Sequence, residues 1–236
     1  DPSPPVTLIE HAKKIGADLW LFGRDFNCSG DRQQWNYGGR AIRRNSLAYP
    51  SLRGANQLLN TSAALAALEA LRDRLPLGAQ EIRSGLVMVE LPGRFQVLPG
   101  RPQVILDVAH NPHAAATLAQ NLDNMGFFPV TYAIFGAMSD KDVLGVVSQL
   151  KDKIDHWYLT GLPLPRAADT LHLADCLQKA GVSESTEKNA ERTIRHFSTP
   201  QEAFNEAKGR ATENDRIVVF GSFLTVAGVM SLKATD

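Results

Sequence analysis

The stretch "VILDVAHNPHAAATLAQNL", residues 104–122, decides the fold. A run of β-branched and apolar residues ends in Asp107; His110, Asn111 and Pro112 follow, and an Ala/Leu-rich segment comes at once. The apolar run reads as a buried strand and the second segment as a helix. Asn is a favoured N-cap and Pro suits the first helical position, so the helix begins at Asn111–Pro112. Asp107, His110 and Asn111 therefore gather where strand gives way to helix. The unpaired amides and positive dipole end there favour an anion such as phosphate or carboxylate. In the alternative, Asn111 only caps while Asp107 and His110 bond to the backbone.

Downstream, strand and helix patterns alternate. "RFQVL", a "PGRP" turn and "QVILDVA" read as a hairpin into the first core strand. Strands are then expected at "VTYAIFGA", "HWYLTG" and "RIVVFGS", with "RTIRHF" as an edge strand. Helices are expected after "HNP" up to Gly126, and at "DKDVLGVVSQLKDK", "TLHLADCLQKAG", "STPQEAFNEAKGRA" and "FLTVAGVMSL". This order implies a Rossmann-like α/β domain whose mostly parallel sheet is covered by helices. Ligands in such sheets sit at the carboxyl ends of strands.

Residues 1–90 read differently. "PPVTLIEHAKKIG" suggests a helix capped by Thr7 and stopped at Gly16, and "ADLWLFGRDF" a strand. Residues 27–55 carry turn formers without sustained periodicity, so strands there cannot be placed. "NQLLNTSAALAALEALRDRL" is the clearest helix, and "AQEIRSGLVMV" a second that Pro92 and Gly93 break. A domain boundary is therefore expected near 91, giving domains 1–90 and 91–236.

Composition narrows the function. Lysine plus arginine and aspartate plus glutamate each number 25, so no global field points to nucleic acid. Only Cys28 and Cys176 are present, which argues against a disulfide framework and for a reducing cytoplasm. No apolar run suits a membrane span. Neither G-x-G-x-x-G nor a Walker loop occurs. Asp107, His110 and His113 form D-x-x-H-x-x-H, but convergence of the three on a zinc ion is unforced, and His113 reads as a surface residue. At "GAMSDKD" Asp140 is read as a helix cap and Lys141 as a ligand contact; at "GSFLTVAG" Gly221 and Ser222 could cradle an anion, or Ser222 could simply cap. "GRAIRRN" reads as a charged loop beside Trp35 and Tyr37 rather than an RNA patch.

Taken together, "LPGRF", "DVAHNP", "FGAMSDKD" and "VVFGSFLTVAGV" resemble the C-terminal domain of folylpolyglutamate synthases, including the bifunctional dihydrofolate synthase/folylpolyglutamate synthases. These are ATP-dependent amide-forming ligases of the Mur ligase superfamily. "DPSPPVTLIEHAKKIGADLWLFGRDF" and "LRGANQLLNTSAALAALEAL" resemble the end of that family's central ATP-binding domain, making residues 1–90 a remnant of it. The resemblance implies the substrates ATP, L-glutamate and dihydropteroate or folate, magnesium as cofactor, and an acyl phosphate attacked by glutamate. It assigns Asn60, Arg94 and Asp107 to ATP, His110 and Ser222 to glutamate, and catalytic roles to Arg94 and His110, with Asn111 as a structural cap. The family's Walker loop and magnesium ligands have no counterpart in these 236 residues, so the chain alone is expected to lack ligase activity. The alternative is a non-catalytic Rossmann-like module that binds an anion or a partner.

Overall fold

A computed structural model describes residues 4–54, 56–182 and 193–231. The chain divides into two compact units, residues 1–90 and 91–236. No described helix is long and apolar enough to cross a membrane.

The first unit holds α1 (Val6–Lys14), β1 (Asn27–Gly30), β2 (Trp35–Gly38), β3 (Arg43–Leu47), α2 (Gln57–Ala70) and α3 (Ala79–Met88). The three strands form an antiparallel meander within the stretch whose strands the sequence leaves unplaced. They are short, and one face is packed through Trp35, Tyr37 and Leu47 onto Leu65, Ile82 and Leu86 of the helices. A buried acid fixes the meander to α2. The Glu69 carboxylate accepts from the Tyr37 hydroxyl at 2.8 Å and from the Ala41 and Ile42 amides at 2.7 and 3.0 Å. These bonds offset the cost of removing the acid from water.

Three expectations fail here and in the next unit. Residues 17–26 form no strand: 17–21 are irregular and a turn at 23–25 joins an isolated Phe22–Phe26 bridge. The Asp25 carboxylate accepts from Leu21 N at 2.8 Å, closing the chain on itself, and backbone bonds and Arg24 hold its pKa down at about 2. Thr7 lies inside α1, whose N-cap is Pro5, because the Pro5 carbonyl already accepts from the Leu8 and Ile9 amides and starts the helix before Thr7. Asp140 does not cap its helix; Asp142 does, accepting from Gly145 N at 2.8 Å. The charged loop is partly self-satisfied: Arg40 pairs with Asp18 at 2.8 Å and Asp25 at 3.0 Å and lies 4.3 Å from the Trp20 ring centroid.

The second unit contains β4 (Gln96–Leu98), β5 (Gln103–Leu106), α4 (Pro112–Asp123), β6 (Thr131–Phe135), α5 (Val143–Leu150), β7 (His156–Thr160) and α6 (Thr170–Lys179). It continues with β8 (Thr193–Phe197), α7 (Pro200–Arg210), β9 (Arg216–Phe220) and α8 (Phe223–Met230). The edge strand read from residue 192 and the last helix read to 232 each extend one residue outside the described ones. The sheet order is β4-β5-β9-β6-β7-β8; β4 pairs antiparallel with β5 and every other pair is parallel. Alternation along each strand serves both faces. Ile105, Phe135, Trp157 and Phe220 pack with Leu118, Val147 and Leu173 from α4–α6. Leu106, Ile134, Tyr158 and Val219 pack with Phe204 of α7 and Val226 and Val229 of α8. Burial on both faces is why these strands read as unbroken apolar runs.

Candidate functional site

The strand order makes the site. From β5 the chain advances through β6 and β7 to β8 with α4, α5 and α6 on one face, then returns along α7 to place β9 between β5 and β6. Helices leaving β5 and β9 therefore depart to opposite faces, which opens a crevice at their carboxyl ends, the position where such sheets bind ligands. Asp107 N donates to Val219 O at 2.9 Å and Gly221 N to Ala109 O at 2.9 Å, so the two strand ends are tied just below the crevice.

Each side chain there has a physical reason for its place. Asn111 takes an extended backbone and accepts from Ala114 N at 2.9 Å, with Pro112 opening α4, as the sequence requires. Ser222 is buried, and its Oγ accepts from Leu224 N at 3.2 Å to cap α8. Two helix N-termini thus flank the crevice, and their partial positive charge favours an anion between them. Gly221 holds φ +102, and a Cβ there would lie 2.5 Å from the Gly136 carbonyl oxygen and 2.7 Å from the Phe135 ring. Only glycine lets β9 turn this sharply into α8.

Asp107 joins β5 to the turn that carries Arg94. One carboxylate oxygen accepts from Phe95 N at 3.0 Å and the other from Ala109 N at 2.8 Å, while Val108 N donates to Gly93 O at 2.8 Å. Burial raises its pKa above the usual carboxylate range; the two amide bonds and the charge of Arg94 oppose that rise. Gly93, at φ +70, turns the chain against Val108, so Arg94 projects outward while Phe95 enters the core. The Arg94 guanidinium carbon lies 5.7 Å from the Phe223 ring centroid. His110 also stands near this ring, with centroids 6.5 Å apart. His110 Nδ1 sits 2.9 Å from the Val108 carbonyl oxygen. A carbonyl can only accept, so Nδ1 carries the proton and Nε2 is the nitrogen left for a ligand.

The structure therefore places Arg94, Asp107, His110, Asn111 and Ser222 about the same strand ends, where Asp107, His110, Asn111 and Ser222 bond the backbone as the second reading expects. Asn60 belongs to the other unit, on α2, where its amide donates to Gln57 Oε1 at 3.3 Å. His113 is exposed, and Asp107, His110 and His113 do not gather their donor atoms; among the described residues only His172, Asp175 and Cys176 do. Lys141 lies 3.6 Å from Asp140. Sequence reasoning missed Phe223, which is 59% exposed. The available signal was an aromatic at the first position of a capped helix, where a polar residue is ordinary.

Residues 93–223 match the family described as Mur ligase, glutamate ligase domain. The dihydrofolate synthase/folylpolyglutamate synthase of Buchnera aphidicola subsp. Schizaphis graminum is 34% identical over 221 residues, covering 94% of this chain and 47% of the relative. That of Escherichia coli K12 is 33% identical over 232 residues, covering 98% and 50%. Among solved structures, E. coli FolC in complex with DHPP and ADP superposes with a TM-score of 0.83 at 31% identity, covering all of this chain and 52% of that one. A bifunctional folylpolyglutamate synthase/dihydrofolate synthase with Mn, AMPPNP and L-glutamate bound gives 0.82 at 33%, covering 99% and 52%. This chain spans about half the length of the curated relatives it matches. On this match, which spans more than half of it, the chain belongs to the Mur ligase family and carries that family's glutamate ligase domain.

Proposed function

We propose that this chain is the C-terminal portion of a cytoplasmic dihydrofolate synthase/folylpolyglutamate synthase, and that it supplies the glutamate side of an ATP-dependent ligation. The observation that carries the proposal is the grouping of Arg94, Phe223 and His110 around a crevice flanked by two helix N-termini. In the reaction, the carboxylate of dihydropteroate or a folate takes the γ-phosphoryl group of ATP. The amino group of L-glutamate then attacks the acyl carbon, the amide C–N bond forms, and inorganic phosphate leaves.

Each residue has a part in this scheme. Arg94 is an exposed cation beside a ring, suited to neutralise phosphate charge as it is transferred. Asp107 fixes the Arg94 turn through the Phe95 amide and offers its remaining lone pairs to the nucleotide. Nε2 of His110 accepts from the glutamate amino group, and Ser222 presents its hydroxyl at the α8 terminus to a glutamate carboxylate. Asn60, on α2 of the first unit, is assigned to the nucleotide by the resemblance of that unit to the ATP-binding domain. Magnesium does not fit the crevice: it wants near-octahedral oxygen ligands, whereas Asp107 is the one carboxylate among these residues and has the cation Arg94 beside it. Its ligands and the phosphate loop belong to a segment outside these 236 residues, a reading supported by the length of the relatives.

The test is ATP-dependent incorporation of glutamate into dihydropteroate and tetrahydrofolate, using the protein encoded by the full reading frame. Product is expected from that protein and none from the 236-residue chain alone. Arg94→Ala should fold normally and lose on the order of 10³-fold in turnover, the scale set by arginines that stabilise transferring phosphate. Near-normal turnover in a folded Arg94→Ala protein would reduce the arginine to a partner of Phe223.

A further inference from the structure

Helix α6 carries a cluster that the ligase chemistry does not use. His172, Asp175 and Cys176 each offer one donor atom, and these three atoms lie within 4.8 Å of one another. The spacing i, i+3, i+4 puts them on one face of the helix. Their orientation is fixed from two sides. Asp169 caps the helix by accepting from His172 N at 2.7 Å, and Leu173 and Leu177 are buried in the core beneath the sheet's helical face. Cys176 Sγ lies 3.8 Å from His172 Nε2. Two ligands on a tetrahedral zinc, at about 2.0 Å for nitrogen and 2.3 Å for sulfur, stand roughly 3.5 Å apart. The imidazole and thiol are therefore already close to ligand separation. The Asp175 side chain is 46% exposed and holds Lys179 at 2.6 Å through Oδ2, which leaves its other oxygen to complete the set.

We propose that His172, Asp175 and Cys176 form a binding site for a thiophilic divalent metal ion of the zinc class. A nitrogen, sulfur and oxygen donor set suits such an ion and does not suit magnesium or calcium, which take oxygen ligands. With three protein ligands, the fourth position goes to water. Binding replaces the S–H bond of Cys176 with a sulfur–metal bond and releases one proton to solvent. The site is separate from the crevice: α6 follows β7, and β6 lies between β7 and β9.

The purified, metal-free chain titrated with Co²⁺ should give one equivalent of binding with a sulfur-to-cobalt charge-transfer band. Zn²⁺ should abolish that band by displacement and excess Mg²⁺ should not. His172→Ala is the decisive variant, since His172 is exposed and its loss leaves the fold intact, as a thermal melt would verify. It should weaken Zn²⁺ binding at least tenfold; Cys176→Ser should remove the band, and Cys28→Ser should change neither. An absent band, one unaltered by His172→Ala, or one lost with Cys28→Ser would overturn the assignment.

Discussion

Asn111→Ala isolates the capping half of the strand-to-helix motif. The substitution removes one acceptor, the side-chain oxygen 2.9 Å from Ala114 N, and leaves that amide without its side-chain partner. Everything else that holds α4 remains. Pro112 still sets the first helical dihedral, and Ala115, Leu118, Ala119 and Leu122 stay packed on the sheet. The loss is therefore the cap alone, about 1 kcal/mol and no more than about 2. For a unit of this size that corresponds to a fall in Tm of roughly 2–4 °C per kcal/mol. Urea denaturation followed by tryptophan fluorescence measures it, because Trp157 is buried in the same core. The midpoint should move while the slope stays constant. Asn111→Asp should retain most of the stability, since a carboxylate also caps. A loss above about 3 kcal/mol would show that Asn111 supports more than the first turn. No loss at all would show that the cap bond does not matter in solution.

Two further outcomes separate function from structure. His110→Ala in the full-length ligase should raise the KM for glutamate or lower kcat, while costing only about 1 kcal/mol of stability for the lost bond to Val108 O; steady-state kinetics and melts on the same protein check both. His156 is half-buried and stacked on Tyr132, and burial holds its pKa below the ordinary histidine value. The unfolded chain then binds the extra proton more readily, so stability should fall as pH drops through about 6.5 and level off below the folded pKa; denaturation midpoints that do not fall over this window would refute it.

The second unit was largely legible because its central strands are apolar on both faces and most of its helices follow a capping residue, although α5 starts at Asp142 and not at Asp140. Asn111–Pro112, Asp169, Thr199–Pro200 and Ser222 all cap the helices they precede. The first unit was less so. Its strands are four or five residues long, and the burial that defines them comes from α2 and α3 rather than from their own pattern. "ADLWLFGRDF" has strand composition, yet the Asp25 side chain bonds the Leu21 amide and folds the segment into a turn. A polar side chain competing for backbone groups is invisible to periodicity. At the site, sequence gave Asp107, His110 and Ser222 through their strand-end positions. It gave no hint that Phe223 stands beside both Arg94 and His110, because that proximity depends on β9 lying next to β5.

The insertion of β9 between β5 and β6 has a temporal meaning as well as a spatial one. Residues 103–106 and 131–135 both find their hydrogen-bonding partner in residues 216–220, near the end of the chain. Until that segment arrives, β5 and β6 each present an open edge, and such edges are prone to wrong pairing. Closing the gap pairs Arg216 with Gln103 on one side and with Thr131 on the other, both distant in the chain, a slow kind of step. The crevice has no floor before that moment, since Gly221 and Ser222 come with the same strand. A crevice that exists only once β9 is seated is absent from a half-made sheet, so its presence reports on completed assembly.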